Sequence, residues 1–497
     1  MSSAASPASV VTLGQDTSVV NAEVYTPRGT LPDAATPAWE YVQQDKVTLA
    51  MMGNFNSHSV AGRFQGLGAT LMSQLTSGGT NISQSVIRPS AAGKMNATQL
   101  TAAQDKLHTK ADNSVTLTIK TASGKTIQLS LSSNEDGLAV QAQVSGGELS
   151  DDERTALAGM ADAFQSAIDG FSATPPKLNL DKLAQFNSTV FSSVDLSGKL
   201  KLGENRSQTL SFHADAQQRS VQMSGPAGDV KLAVNVKNGN TLGSADQQAK
   251  ALASYLKQFE SAKQRGSGDP ALMSLFEDAF SALQSNKSLS QAAAAPTTAN
   301  SVALSDEDHG MLTGLADFSG SVTQATKAIN PMRPSELDTF AYQVSQSTQT
   351  KGSTLDRSID QNQQSQLTAS YHKSSIPGSP LDLRNTAASQ NYDFYQVDDS
   401  ASSSAHLGYD KGNLVSATLT QSASQHTTVS KYLLGHLQST TVTPQQATKT
   451  RNLLGLLQKA MQDDDKAKAY GGISTLKDTL SGLQDSVMLQ TNPAKLS

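Results

Sequence analysis

The stretch SVTLTIKTASGKTIQLSLSSNEDGLAVQAQVS, residues 114–145, decides the fold. Val115, Leu117 and Ile119 alternate with Thr116 and Thr118. A turn at Ser123-Gly124 follows, and Ile127, Leu129 and Leu131 alternate again. After a second turn at Asn134–Gly137, Leu138, Val140, Ala142 and Val144 continue the pattern. A period of two puts one side of each strand on a core and the other in water, which predicts an antiparallel meander. Ser150 and Glu153 then stand in capping-box spacing. They open an expected helix whose stripe is Leu157, Met160, Phe164, Ile168 and Phe171.

The same grammar recurs downstream. Strands are expected at 209–213, 220–224 and 230–236. A polar cap at Ser244 then leads a helix carrying Ala249, Leu252, Leu256 and Phe259. Asp269-Pro270 reads as an N-cap with proline in the first turn. A third round runs from 339 to 465. Its strands are expected at 339–344, 366–371, 393–397, 406–409, 414–420 and 427–432, and Thr443-Pro444-Gln445-Gln446 as a helix start. Helices are also expected over 57–75, over 305–322 and over 473–489. The fold class expected is therefore α+β: irregularly repeated units of antiparallel meander followed by capped amphipathic helices. Uneven spacing counts against a solenoid. Residues 1–40, rich in Ser, Ala, Thr and Pro, read as a disordered N-terminal arm. Residues 41–284 read as an α+β domain with two strand-then-helix units, 285–300 as a linker, and 301–497 as an α+β domain ending in a helical hairpin.

Composition bounds the chemistry. The 497 residues carry 38 Lys+Arg and 43 Asp+Glu, a net charge of −5, and no cysteine. Without cysteine there is no disulfide scaffold, thiolate metal site or thiol nucleophile. The acidic balance and the lack of a Lys/Arg block argue against nucleic acid as a partner. No apolar run approaches the roughly 18 residues of a spanning helix, so no transmembrane segment is expected. The first residues have neither the basic start nor the apolar core of a secretory signal. The chain is expected to be cytoplasmic, or exported by a route that reads no such signal. Low charge, few aromatics and much Ser, Thr, Gln and Ala give it a compositional likeness to bacterial surface and specialised-secretion proteins.

Motifs for catalysis are scarce. Gly124-Lys125-Thr126 lacks the upstream glycine of a phosphate loop and is followed by a strand, so it reads as a hairpin turn. The eight histidines show no helical metal-ligand spacing. A metal set would have to gather from distant strands, for example His213, His372 and His406, and no cofactor or metal is expected. The acidic runs after Ser150 and Ser305 suit the positive ends of helices. Aromatic residues offer the candidate partner-binding positions: Trp39 and Tyr41 beside the arm, and Tyr392, Phe394 and Tyr395 on a strand, where cross-strand core pairing is the plainer explanation. The sequence thus points to a non-catalytic interaction or assembly protein with a protein partner or self-association. The alternatives are a secreted effector hydrolase whose site joins a histidine to two or more carboxylates in one cleft, and a carrier with a large apolar cavity.

Overall fold

A computed structural model describes residues 36–41, 44–78, 81–237, 239–284, 304–474 and 476–496. The expected linker, 285–300, and residues 1–35 of the expected arm lie outside the described residues. Among the described residues, fifteen strands form a single antiparallel sheet in the order β1-β2-β5-β4-β3-β6-β7-β8-β9-β10-β11-β12-β13-β14-β15. The first five are β1 (Ala38–Trp39), β2 (Asn81–Ile87), β3 (Asn113–Thr121), β4 (Thr126–Ser133) and β5 (Gly137–Ser145). The next five are β6 (Phe191–Lys201), β7 (Ser207–Asp215), β8 (Gln218–Gly225), β9 (Gly228–Asn235) and β10 (Asp317–Gln324). The last five are long: β11 (Thr339–Gly352), β12 (Arg357–Ser374), β13 (Tyr392–Asp410), β14 (Asn413–Leu433) and β15 (His436–Asn452).

The α+β class is as expected, and the meander over 113–145 lies where the alternation places it. The sheet does not stop at the expected domain boundary. β9 and β10 pair antiparallel from Asp317↔Asn235 to Gln324↔Gly228. One apolar core runs beneath both, taking in Leu117, Phe164, Leu232, Phe276, Phe318 and Phe340.

Most helices cover one face of the sheet, and the alternating apolar residues of the strands point at them. Ala245–Gly266 and Pro270–Leu283 pack Tyr255, Phe259, Phe276 and Phe280 against Phe318 and Tyr342. These rings meet edge to face at 4.9–6.5 Å, the geometry their quadrupoles favour. The caps at Ser150, Ser244, Asp269 and Ser305 all form. The helix Ala97–Thr109 is an exception in position. Its Leu107 packs with Ile87 and Ala139 on the other face.

Several expectations are corrected by local geometry. The helix expected over 57–75 is two helices, Val60–Phe64 and Leu67–Thr76, because Gly66 turns left-handed between them at φ 66°. The helix expected over 151–171 is likewise two, Asp151–Ala158 and Ala161–Ser172. The helix opened by Ser305 ends at Gly310. Gly314 takes φ 79°, and Phe318 and Val322 then point inward from β10. Both helical and period-two spacing fit that short apolar run, and the sheet wins. Thr443-Pro444-Gln445-Gln446 caps no helix, for it lies inside β15. Proline is tolerated there because β15 is an edge strand, with one row of backbone groups unpaired. The helix that follows is Leu454–Tyr470, and it packs with Leu476–Val487 as the expected terminal hairpin. Residues 36–40 of the expected arm are ordered, with Ala38 and Trp39 paired to Ile87 and Val86.

Candidate functional site

Polar side chains on the helix-covered side of the sheet hold the segments that cross it. Gln346, Gln361, Gln363 and Gln421 point inward from β11, β12 and β14 and are all but fully buried. A buried amide needs partners for both ends. Gln361 Oε1 accepts from the Thr313 amide at 2.8 Å, and Gln346 Nε2 donates to Leu315 O at 3.0 Å. Gln363 Nε2 donates to Val487 O at 2.8 Å while its Oε1 accepts from Leu489 N at 3.0 Å. Gln421 Nε2 reaches the carbonyls of Ser486 and Met488. The C-terminal segment 486–491 is thereby read through its backbone, as another strand would read it.

The opposite face is open over most of its width. Strand register aligns its side chains in rows that cross the sheet from β2 to β15. One row is Ser83, Gln141, Ser130, Thr116, Ser197, Ser211, Gln222, Lys231, Ser321, Gln343, Gln366, Ser400, Ser424 and Gln446. Its neighbour runs Asn81, Gln143, Gln128, Thr118, Asp195, His213, Ser220, Ala233, Ser319, Ser345, Gln364, Ser402, Ser422 and Thr448. Every member is exposed or half-buried. Apart from Lys231, Asp195 and His213, the rows hold only hydroxyls, amides and one alanine. Over β7–β14 the surface forms a trough of about 830 Å³.

The candidate aromatic residues divide between the two faces. Tyr392 and Phe394 lie on the open side but are buried with Tyr432 beneath Leu381 and Leu383. Tyr395 points to the helix side and stacks on Tyr371 at 4.9 Å with an interplanar angle of 3°. Trp39 packs edge-on against Phe55. Tyr41 is half-exposed, and its backbone exchanges hydrogen bonds with the Gln84 amide. Strand parity could have separated Tyr395 from its two neighbours in the sequence. The loops covering Tyr392 and Phe394 carry no such signal.

Histidines meet carboxylates in several places. His372 lies between Asp338, at 2.6 Å, and Glu336, at 3.3 Å, and Glu336 also accepts from the Tyr392 hydroxyl at 2.6 Å. The His372 side chain is fully buried. His213 bridges Asp195 at 2.6 Å and Asp215 at 3.2 Å on the open face. Burial pushes the imidazole down, but the two carboxylates outweigh it and raise its pKa above the usual 6.5. His406 meets Asp360 at 2.7 Å. His213, His372 and His406 each keep their own acid and are not brought together. Among the described residues, no group of three or more His, Asp or Glu is placed to hold a metal ion.

A further cluster fixes the chain after the 285–303 segment. Asp308 is fully buried, accepts from Arg357 at 2.8 Å and from the Tyr409 hydroxyl at 2.6 Å, and the guanidinium lies 3.7 Å from the Tyr409 ring centre. Every charge in it is answered within the cluster, which suits it to fixing structure. Among the described residues, no helix is long and apolar enough to cross a membrane.

The architecture is thus that of an α+β protein built on one antiparallel sheet. No protein-family model matches the chain, and no curated protein or solved structure is similar to it.

Proposed function

We propose that the chain is a non-catalytic assembly protein that associates with copies of itself through the open face of its sheet. One observation carries this reading: the rows of uncharged Ser and Gln side chains that run in register across β11–β14. Each hydroxyl and each amide both donates and accepts hydrogen bonds. Such a face is complementary to a second copy of itself, whereas rows of one charge would repel. Closed symmetric homo-oligomers bring the same patch of two subunits together in this way. At about 4.8 Å per strand, the face offers ample width for a standard contact of about 800 Å² per partner.

Sedimentation velocity over a concentration series tests the reading. The wild-type chain is expected to shift from monomer to dimer or larger species. Gln366 and Ser400 stand opposite each other on β12 and β13 and line the trough. The double variant Gln366→Lys, Ser400→Lys should stay monomeric with an unchanged circular dichroism spectrum. A wild-type chain that remains monomeric up to its solubility limit overturns the proposal.

The same reading includes work in an oxidising compartment. A chain without cysteine has no thiol to cross-link there. Fractionation of cells making the full chain and a form lacking residues 2–40 tests this. Purely cytoplasmic material for both removes it.

A further inference from the structure

The hairpin that joins β14 to β15 ends in the two-residue turn Leu434-Gly435, with φ 53° and 79°. Positive φ at both central positions is the geometry of such a turn, and asparagine, aspartate or glycine is the favoured residue at the first of them. A leucine there crowds its Cβ against the following carbonyl. It fills no core in return, for Leu434 is 51% exposed, and its neighbours Leu433 and Leu437 are 54% and 53% exposed.

The turn is nonetheless held firmly. Leu434 N donates to Asn391 Oδ1 at 2.8 Å, Gly435 N donates to Gln390 O at 3.0 Å, and Arg333 Nη2 donates to Gly435 O at 3.0 Å. Both turn amides are thus answered by protein, so the tip shows hydrocarbon and gives up little hydrogen bonding when water leaves it. The turn at the other end of β14, Lys411-Gly412, has the same backbone, with φ 50° and 81°. It is anchored in the same way, Lys411 N donating to Asp356 Oδ1 at 2.9 Å and Gly412 N to Leu355 O at 2.8 Å. There the first position offers a lysine to water. The fold therefore needs positive φ at both turns and a leucine at neither.

The exposed charge around the leucine tip is mainly positive. The loops 325–338 and 375–391 and the strand ends beside the turn expose Lys327, Lys373, Arg384 and Lys431. Among these described residues the one exposed carboxylate is Asp382, which Arg384 takes at 2.9 Å. Glu336 and Asp338 turn inward to Tyr392 and His372. Asp393 sits half-buried in register between Lys373 and Lys431. This collar of cations stands on a chain whose net charge is −5.

We infer that the Leu434-Gly435 tip docks on a lipid surface with anionic headgroups, Leu433, Leu434 and Leu437 entering the acyl boundary and Lys327, Lys373 and Lys431 meeting the headgroups. Three leucines on one hairpin turn fall far short of the roughly 800 Å² per partner of a stable protein contact. A peripheral membrane contact needs only a small apolar insertion joined to a basic patch. The tip lies at the strand ends, so the inference does not depend on assembly through the open face.

Flotation of the full chain with large vesicles tests it, using phosphatidylcholine alone and an equal mixture with phosphatidylglycerol. The chain is expected to float with the mixed vesicles, and at least about tenfold less with phosphatidylcholine alone or at high salt. The variant Leu433→Ser, Leu434→Asn, Leu437→Ser should keep its circular dichroism spectrum, since asparagine accepts the left-handed turn, and lose at least about tenfold in binding to the mixed vesicles. A gain of signal stands beside this loss. The chain has no cysteine, so Leu434→Cys and Lys411→Cys each take a single environment-sensitive dye. On mixed vesicles the dye at 434 should shift to the blue and the dye at 411 should not. The inference is overturned if the wild-type chain does not float with the mixed vesicles, if the triple variant floats as well as wild type, or if the two dyes respond alike. A wild-type chain that ignores vesicles but loses self-association in the triple variant assigns the tip to contact between copies and likewise overturns it.

Discussion

At the scale of single residues, two charged groups make the fold respond to pH in opposite directions. Burial pushes the Glu153 carboxyl up. Hydrogen bonds from Lys125 and Ser123 and from the Ser150 amide outweigh it and hold the group at about 2, against a usual 4.5. A carboxyl held low contributes stability that is complete above 4.5 and fades as pH falls toward 2. The denaturation midpoint of the wild-type chain should therefore drop more steeply between pH 4.5 and 2 than that of Glu153→Gln. Equal slopes would show that the capping-box glutamate carries no such term. His213 works the other way. Its raised pKa contributes stability that is complete below 6.5 and fades as pH rises through the raised value. The His213 ring protons, followed by NMR, should titrate with a midpoint above 6.5, and Asp195→Asn should bring that midpoint down. A midpoint at or below 6.5 in the wild-type chain would mean that the two carboxylates do not hold the imidazolium.

At the scale of elements, the buried glutamines separate what the sequence makes legible from what it hides. The strands within 115–142 show because Val115, Leu117, Ile119, Ile127, Leu129, Leu131, Leu138, Val140 and Ala142 fill the inward positions with apolar side chains. The caps at Ser150 and Asp269 show because capping chemistry is local. In β12 the inward positions beyond Leu367 are Ser365, Gln363 and Gln361. Alternation vanishes there, so sequence reading recovers only 366–371 of a strand that runs from Arg357 to Ser374. Those glutamines face backbone, and a side chain that serves backbone leaves no periodic signature. The same holds for the candidate sites. Tyr392 and Phe394 are visible as aromatic residues, but their burial depends on how the irregular segment before β13, with Leu381 and Leu383, folds back over them. The rows of the open face depend on register, which single strands do not reveal. Gln363→Ala should strand Leu489 N and leave Val487 O with the Ser403 hydroxyl alone, at a cost of about 1–3 kcal/mol. Hydrogen exchange should then speed up across 486–491 while the amides of β7–β9 stay protected. Unchanged exchange in that segment would show that the glutamine does not hold it.

At the scale of the whole molecule, one sheet and one principal core take in strands from both sides of the Ser- and Ala-rich stretch at 285–300. A cluster of aromatic rings lies in that core beneath β10 and β11, where Phe259 touches Phe276, Phe280 and Tyr342. Phe259→Ala should cost about 3–5 kcal/mol and lower the stability of strands from both halves of the chain together. Two separate unfolding transitions, with only one displaced, would contradict a shared core. The strand order carries its own consequence for how the protein is made. From β7 onward each strand is hydrogen-bonded to the one translated just before it. Chains emerge from the ribosome N-terminus first, so every new strand meets a finished edge and waits for nothing still to be synthesised. The segment that Gln363 and Gln421 grip arrives after every strand is in place, and works as a latch dropped once the wall behind it is built.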